Sequence, residues 1–251
     1  MTDQSQYKAP ALEKGLDILE LLSAQAVGLN QKEIAQALGR SVNEIFRMLV
    51  CLKNRGYITQ TEGSDRFELS LKMFELSHQH SPIKRLVSRS VPIMERLAYE
   101  VDQSCHLVVQ HNQNLVVVAQ VDGPGSISFS VRLGSRLNFH DTSAGRIIMA
   151  YLSQEELEKL ASSEIIDLTP DLLEELHEIK DKAFCEEPSR HVKGVWDLSA
   201  PVLDHSGKIV AALSIPFVNK LQENNREAKA QAKKALFTST RSISEQLGIG
   251  Q

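Results

Sequence analysis

The chain has 251 residues, of which 24% are charged and 42% hydrophobic, and a formal net charge of −4. That length leaves room for two modest domains with cores of their own, and the acidic balance excludes indiscriminate binding to nucleic acid. No stretch approaches the roughly 18 apolar residues of a membrane span. The opening Met1-Thr2-Asp3-Gln4-Ser5-Gln6 lacks the basic and apolar regions of a secretory leader, so a cytoplasmic protein with no membrane partner is expected.

Residues 11–25 form an amphipathic helix with Leu12, Leu16, Leu19 and Leu22 on one side, expected to pack against the unit that follows. Asn30-Gln31-Lys32-Glu33 opens a short helix that Gly39 ends. Ser41-Val42-Asn43-Glu44 opens a second, ended by Asn54-Arg55-Gly56. Both starts have capping-box spacing: the Asn or Ser oxygen takes an orphan amide, and the Glu three residues on reaches back. Two extended runs, Tyr57–Thr61 and Arg66–Leu69, are joined by Glu62-Gly63-Ser64-Asp65. Helix, tight turn, capped helix and hairpin in this order read as a winged helix-turn-helix, whose second helix enters the DNA major groove.

That second helix has two faces. Ile45, Met48, Leu49 and Leu52 recur at helical spacing and pack inward, while Asn43, Arg47 and Asn54 face outward with Glu44 beside Arg47. Arg suits guanine, Asn suits adenine, and Glu accepts from the cytosine amine. Arg66 at the base of the wing and Lys53 or Arg55 at the helix end are expected on phosphates, with Arg40 and Ser41 of the tight turn completing the DNA-contacting set. The cations from Arg40 to Arg66 barely outnumber the carboxylates, so two copies are expected to act together on a repeated site.

Residues 71–77 continue helical, Gln79-His80-Ser81-Pro82 is a break, and residues 83–101, interrupted by Pro92, form a connecting helix. The expected division is therefore a DNA-binding domain over 1–78, a linker helix over 79–101 and a second domain over 102–251. In the latter, Cys105–Gln110 and Leu115–Val121 are β-branched strands about a His111–Asn114 loop, and Ile127–Leu133 is expected as a third strand. Asp141-Thr142-Ser143-Ala144-Gly145-Arg146 is a polar helix start before an apolar run. Helices follow at Gln154–Ala161 and Pro170–Phe184, strands at Gly194–Val202 and Lys208–Ile215, and a long polar helix at Glu223–Leu247. The class is α+β, an antiparallel sheet with helices around it.

The side chains give little sign of other chemistry. Cys51, Cys105 and Cys185 are dispersed, as packed thiols in a reducing compartment would be. His78 and His80 lack companion ligands, so no metal and no cofactor are expected. With no nucleophile elbow and no phosphate loop, no catalytic residue is assigned. The alternatives to a DNA-binding regulator are a small-metabolite enzyme with a sensor-like domain and a winged-helix protein-interaction module.

Over essentially its whole length the sequence resembles the IclR family of bacterial transcriptional regulators. The resemblance is carried by Ala11–Leu19, Arg47-Met48-Leu49, Gly56-Tyr57, Thr142–Arg146, Gly194–Val202 and Gly207–Ser214. It implies an N-terminal winged helix-turn-helix, a linker helix and a C-terminal GAF-like effector-binding domain, assembled as a homodimer or dimer of dimers on a double-stranded operator. It also implies an effector pocket at Phe129, Leu137, Ser143, Ala144, Glu187, Asp197 and Ser214. The free amides of Ser143, Ala144 and Gly145 at a positive helix end suit a carboxylate. Two departures stand out. Val42-Asn43-Glu44 replaces the family's more frequent basic-Ser-Thr run, so the half-site is not transferable from other members. In the pocket, Asp197 stands where at least one acid-binding member has an uncharged residue and Pro216 replaces a polar group, and Glu187 with Asp197 beside one anion site favours a hydroxylated or sugar-derived acid over a plain keto acid.

Overall fold

The computed structural model describes residues 9–60, 63–79, 81–126, 128–220 and 224–248, which divide into two compact units between Ser81 and Pro82. Glu62, His80 and Ile127, and the expected helix start at Glu223, lie outside the described residues.

The first unit runs α1 (Pro10–Ser23), β1 (Leu29–Asn30), α2 (Gln31–Ala37), α3 (Val42–Asn54), β2 (Ile58–Gln60), β3 (Arg66–Leu69) and α4 (Lys72–Gln79). Both capping boxes form. Asn30 accepts from the Lys32 and Glu33 amides, Ser41 accepts from the Glu44 amide, and each glutamate returns a bond to its cap residue's own amide. Gly39 (φ +60°) and Gly56 (φ +77°) take the left-handed conformation that ends α2 and α3, where a side chain would be strained. The hairpin β2–β3 acquires a third strand, β1, which the sequence did not announce.

Ile18, Leu22, Ile34, Ile45, Leu49 and Ile58 make the core of this unit, with Met48 and Leu52 packed against it. The α1 face differs from expectation. Leu12 and Leu16 are exposed, whereas Gly15, Ile18 and Leu22 are buried. At 100° per residue, Leu12 and Leu16 lie about 120° and 160° from Ile18, so the buried side, centred near Ile18 and Leu22, is turned away from them.

The second unit begins one residue into α5 (Ser81–Val101) and continues β4 (Cys105–His111), β5 (Asn114–Val121), β6 (Arg136–Leu137), α6 (Ser143–Tyr151), α7 (Gln154–Ser162), α8 (Pro170–Lys182), β7 (Cys185–Pro188), β8 (Val195–Leu203), β9 (Ile209–Val218) and α9 (Asn225–Gly248). Its six-stranded sheet has the order β6-β5-β4-β9-β8-β7, and every pairing is antiparallel. Strand alternation splits the core in two. Leu107, Val109, Leu213 and Ile215 pack with α5 and α9 on one face, and Val108, Val117 and Ala212 pack with α6, α7 and α8 on the other. The connecting helix continues through Pro92, and its Leu86, Ile93, Met94 and Leu97 belong to the core of the second unit.

Residues 128–133 are not a strand. Their apolar–polar alternation is real, but no neighbour pairs with them, and the sheet edge is instead Arg136–Leu137 against Leu115 and Val116. Half-buried Phe129 and Val131 face a cavity, which is where that alternation is used. Strand β7, only four residues long, was not expected.

Candidate functional site

Two places on the chain carry convergent polar groups. The first is the outer face of α3. Asn43, Arg47 and Asn54 are exposed there, and among the described residues Arg47 has neither a hydrogen bond nor an ion pair. Val42, Phe46 and Val50 are also exposed (43%, 54% and 41%), although the sequence reading assigned them nothing. They border a cleft of ≈ 520 Å³ shared with Asn30, Gln31 and Lys32 at the α2 start and with Gln60 and Asp65 of the hairpin.

Arg55 is exposed, while Ser41, Glu44, Arg66, Lys53 and Arg40 are engaged within the unit. One Glu44 oxygen accepts from the Ser41 amide (3.2 Å) and hydroxyl (2.8 Å), and the other pairs with Lys14 at 2.6 Å. The Lys14 hydrogen bond, then those from Ser41, hold its carboxyl at about 2, so it is ionised but committed to fixing α3 on α1. Arg66 donates to the Gly28 carbonyl and to Glu33 (3.1 and 3.2 Å), which staples the wing to α2. Lys53 donates to Gln60 at 2.7 Å, and Arg40 stands 3.8 Å from Asp17.

The second place is a cavity of ≈ 370 Å³ at the N-terminal end of α6. Of the residues that the resemblance implies for an effector pocket, Phe129, Leu137, Ser143, Ala144, Asp197 and Ser214 line this cavity. His106, Arg132, Arg136, Thr142, Ser189 and His191 line it too, and the sequence reading named none of them for this role. Asp197 is raised above the usual carboxylate range, first by burial and further by Glu187, against the lowering pull of Ser189 and His191. Ser199 is the centre of a hydroxyl chain, with Ser143 Oγ and Ser214 Oγ each 2.6 Å from its own Oγ.

Gly145 and Glu187 are not in the lining. The Gly145 amide, expected to be free, donates to the N-cap hydroxyl of Thr142 at 3.1 Å. A Cβ on Gly145 would stand 2.1 Å from the Phe139 carbonyl oxygen, so its absence permits close packing. Glu187 faces Asp197 across the β7–β8 pairing, but its carboxylate turns to Arg146 (3.3 Å) and Arg190 (3.8 Å). Arg146 is buried and also pairs with Glu175 at 2.6 Å. The two carboxylates expected beside one anion site are thus separated, one in the cavity and one in an ion cluster.

Among the described residues no group of three His, Cys, Asp or Glu side chains could hold a metal ion, and no helix is long and apolar enough to cross a membrane. Burial pushes the Cys105 and Cys185 thiols up to about 12, so neither supplies a thiolate nucleophile.

Residues 81–245 match the family model for the bacterial transcriptional regulator IclR C-terminal domain, and residues 11–62 match that for the IclR helix-turn-helix domain. Among relatives, the transcriptional regulator KdgR of Dickeya chrysanthemi is 25% identical over 98% of this chain and 82% of its own length. The transcriptional repressor AllR of Escherichia coli K12 is 24% identical over 84% of this chain and 81% of its own. Pseudomonas aeruginosa HmgR shares the fold with a TM-score of 0.77 at 22% identity, covering 96% of this chain and 100% of its own. An IclR homologue from Microbacterium hydrocarbonoxydans, solved in complex with 4-hydroxybenzoate, gives 0.77 at 19% identity over 94% and 98%. The chain belongs to the IclR family of bacterial transcriptional regulators.

Proposed function

We propose that α3 reads an operator through Asn43 and Arg47, and that an organic acid bound at the α6 N-terminus changes operator affinity. The exposed Arg47 guanidinium at the centre of the outward face, without a partner among the described residues, is the observation that carries the DNA-reading half. Val50 and Phe46 beside it suit the methyl groups of thymine, which apolar side chains recognise in the major groove. Arg66, Lys53 and Arg40 support the reading unit by holding it together, and their phosphate contacts are secondary to that.

The acid half rests on the cavity. The Ser143 and Ala144 amides at the helix end, with the hydroxyls of Ser143 and Ser214, form a cradle for a carboxylate. Asp197, raised towards its protonated form, is a hydrogen-bond partner for hydroxyls, which supports a hydroxy or sugar-derived acid. The 4-hydroxybenzoate complex of the Microbacterium homologue is in keeping with an acid effector on this fold. The protein works in the cytoplasm as a homodimer or a dimer of dimers, so that two α3 helices enter grooves about 34 Å apart or a multiple of it. The division of labour is a DNA-binding domain over 1–78, a linker helix over 79–101 and a sensor over 102–251.

Fluorescence polarisation with promoter DNA beside the protein's own gene, against scrambled duplex and with a panel of small organic acids, tests this reading. Salt-sensitive, sequence-selective binding that one acid shifts is the expected result. Equal affinity for scrambled DNA under every condition would contradict the operator assignment.

A further inference from the structure

On the sheet face beneath α6, a row of polar side chains interrupts an otherwise apolar surface. The register sets His106 opposite Ser214, and Ser214 opposite Ser199, so the three stand side by side on β4, β9 and β8. All are nearly sealed: His106 is 5% exposed, Ser214 3% and Ser199 0%. Ser143, at the start of α6, joins them through its hydroxyl, 2.6 Å from Ser199.

The hydrogen bonds of this row do not close on themselves. Three hydroxyls carry three protons, and the Ser143–Ser199–Ser214 chain has only two links. One of the three hydroxyls therefore has a proton left over for a partner outside the chain. His106 is left over as well. Its Nδ1 is enclosed without a partner, and no side chain or backbone group among the described residues bonds its imidazole. Burial brings the ring down to about 4, so at neutral pH it is uncharged, with one donor nitrogen and one acceptor. Buried polar groups left unmatched in this way are rare, and His106 lines the cavity.

We propose that His106 is the second binding point of this cavity: the ligand's carboxylate takes the Ser143–Ala144 end of α6, and a hydroxyl of the same ligand pairs with the imidazole. The class is a hydroxylated carboxylic acid. A hydroxyl both donates and accepts, so it matches either tautomer of the ring, whereas a keto oxygen matches only one. The counterpart acid lacking that hydroxyl leaves His106 buried and unmatched, which is the condition that discriminates most strongly. This inference rests on the reading of the cavity as the effector site.

Calorimetric titration of the full-length protein with acids that differ by one hydroxyl tests it, the pairs being lactate with propionate, 3-hydroxybutyrate with butyrate, and 4-hydroxybenzoate with benzoate. In the wild type the hydroxylated member of at least one pair binds about tenfold tighter or more. His106→Phe removes that preference while changing affinity for the partner acid by less than about twofold. As a second measurement that needs no variant, the ring ¹⁵N resonances of His106 shift when the preferred acid saturates the wild type. Equal weakening of both members of the pair, or saturation without a shift of the His106 resonances, would overturn the assignment of His106 and leave the cavity reading standing. Failure of every acid to bind would overturn the cavity reading, and this inference with it.

Discussion

Arg47 and Gly145 show how much rests on single positions. Arg47 is exposed at the centre of the α3 outer face, without a partner among the described residues. Arg47→Ala is expected to weaken specific DNA binding by about 1–3 kcal/mol and to relax preference at one base pair, as a competition assay across single-base operator variants would read. Unchanged affinity and base preference would move the reading face elsewhere. Gly145 is a packing residue. Gly145→Ala drives a methyl against the Phe139 backbone, so α6 must shift, and a loss of about 1–3 kcal/mol in urea unfolding is expected. Glu44 was legible as a capping residue because Ser-x-x-Glu spacing is local. Its pairing with Lys14, thirty residues away, was not, because a contact at that separation leaves no mark in spacing. His106 was missed for a related reason. In β4 it reads as one polar residue in an apolar run, and only the register with Ser214 places it in the cavity.

Among the elements, α6 does the most. Its N-terminal end faces the cavity while its Arg146, buried on another side, ties α6 to Glu175 of α8 and Glu187 of β7. Among the described residues, Arg146→Ala would leave half-buried Glu187 with only the distant Arg190 as a cation, and one of its oxygens already lacks a hydrogen-bond partner there. Removing one member of such a cluster is expected to cost about 3 kcal/mol, since Glu175 is partly solvated and softens the loss. Chemical denaturation of the variant would measure it, and a change within experimental error would mean the cluster is not a structural lock. Elements with strong local signals were legible: α2, α3, the hairpin, and the strand pairs β4–β5 and β8–β9. The short edge strands β1 and β7 were not, because two to four residues become strand only through their partners. Residues 128–133 show the converse. Alternation alone was read as a strand, but without a neighbour the same pattern lines a cavity.

For the molecule as a whole, one pH dependence follows from His106. Its pKa is about 4 in the folded chain against 6.5 ordinarily, so between these values the unfolded chain binds the extra proton. Its contribution is fully present above about pH 6.5 and is lost as pH falls towards 4. Asp197, raised in the folded state, acts in the opposite sense over its own range. Unfolding curves from pH 7 to 4 are therefore expected to fall less steeply for His106→Phe than for the wild type, and parallel curves would contradict a buried neutral imidazole. Regulation by an acid, however, needs coupling between the acid in the second unit and DNA on the first. It requires that each ligand alter the affinity of the other by the same factor. The most direct measurement is the dissociation constant of the acid with and without saturating operator duplex, set beside that of the duplex with and without the acid. Equal factors, about 5–150 in size, are the result expected. If both ligands bind and neither changes the affinity of the other, the protein is not an acid-controlled regulator.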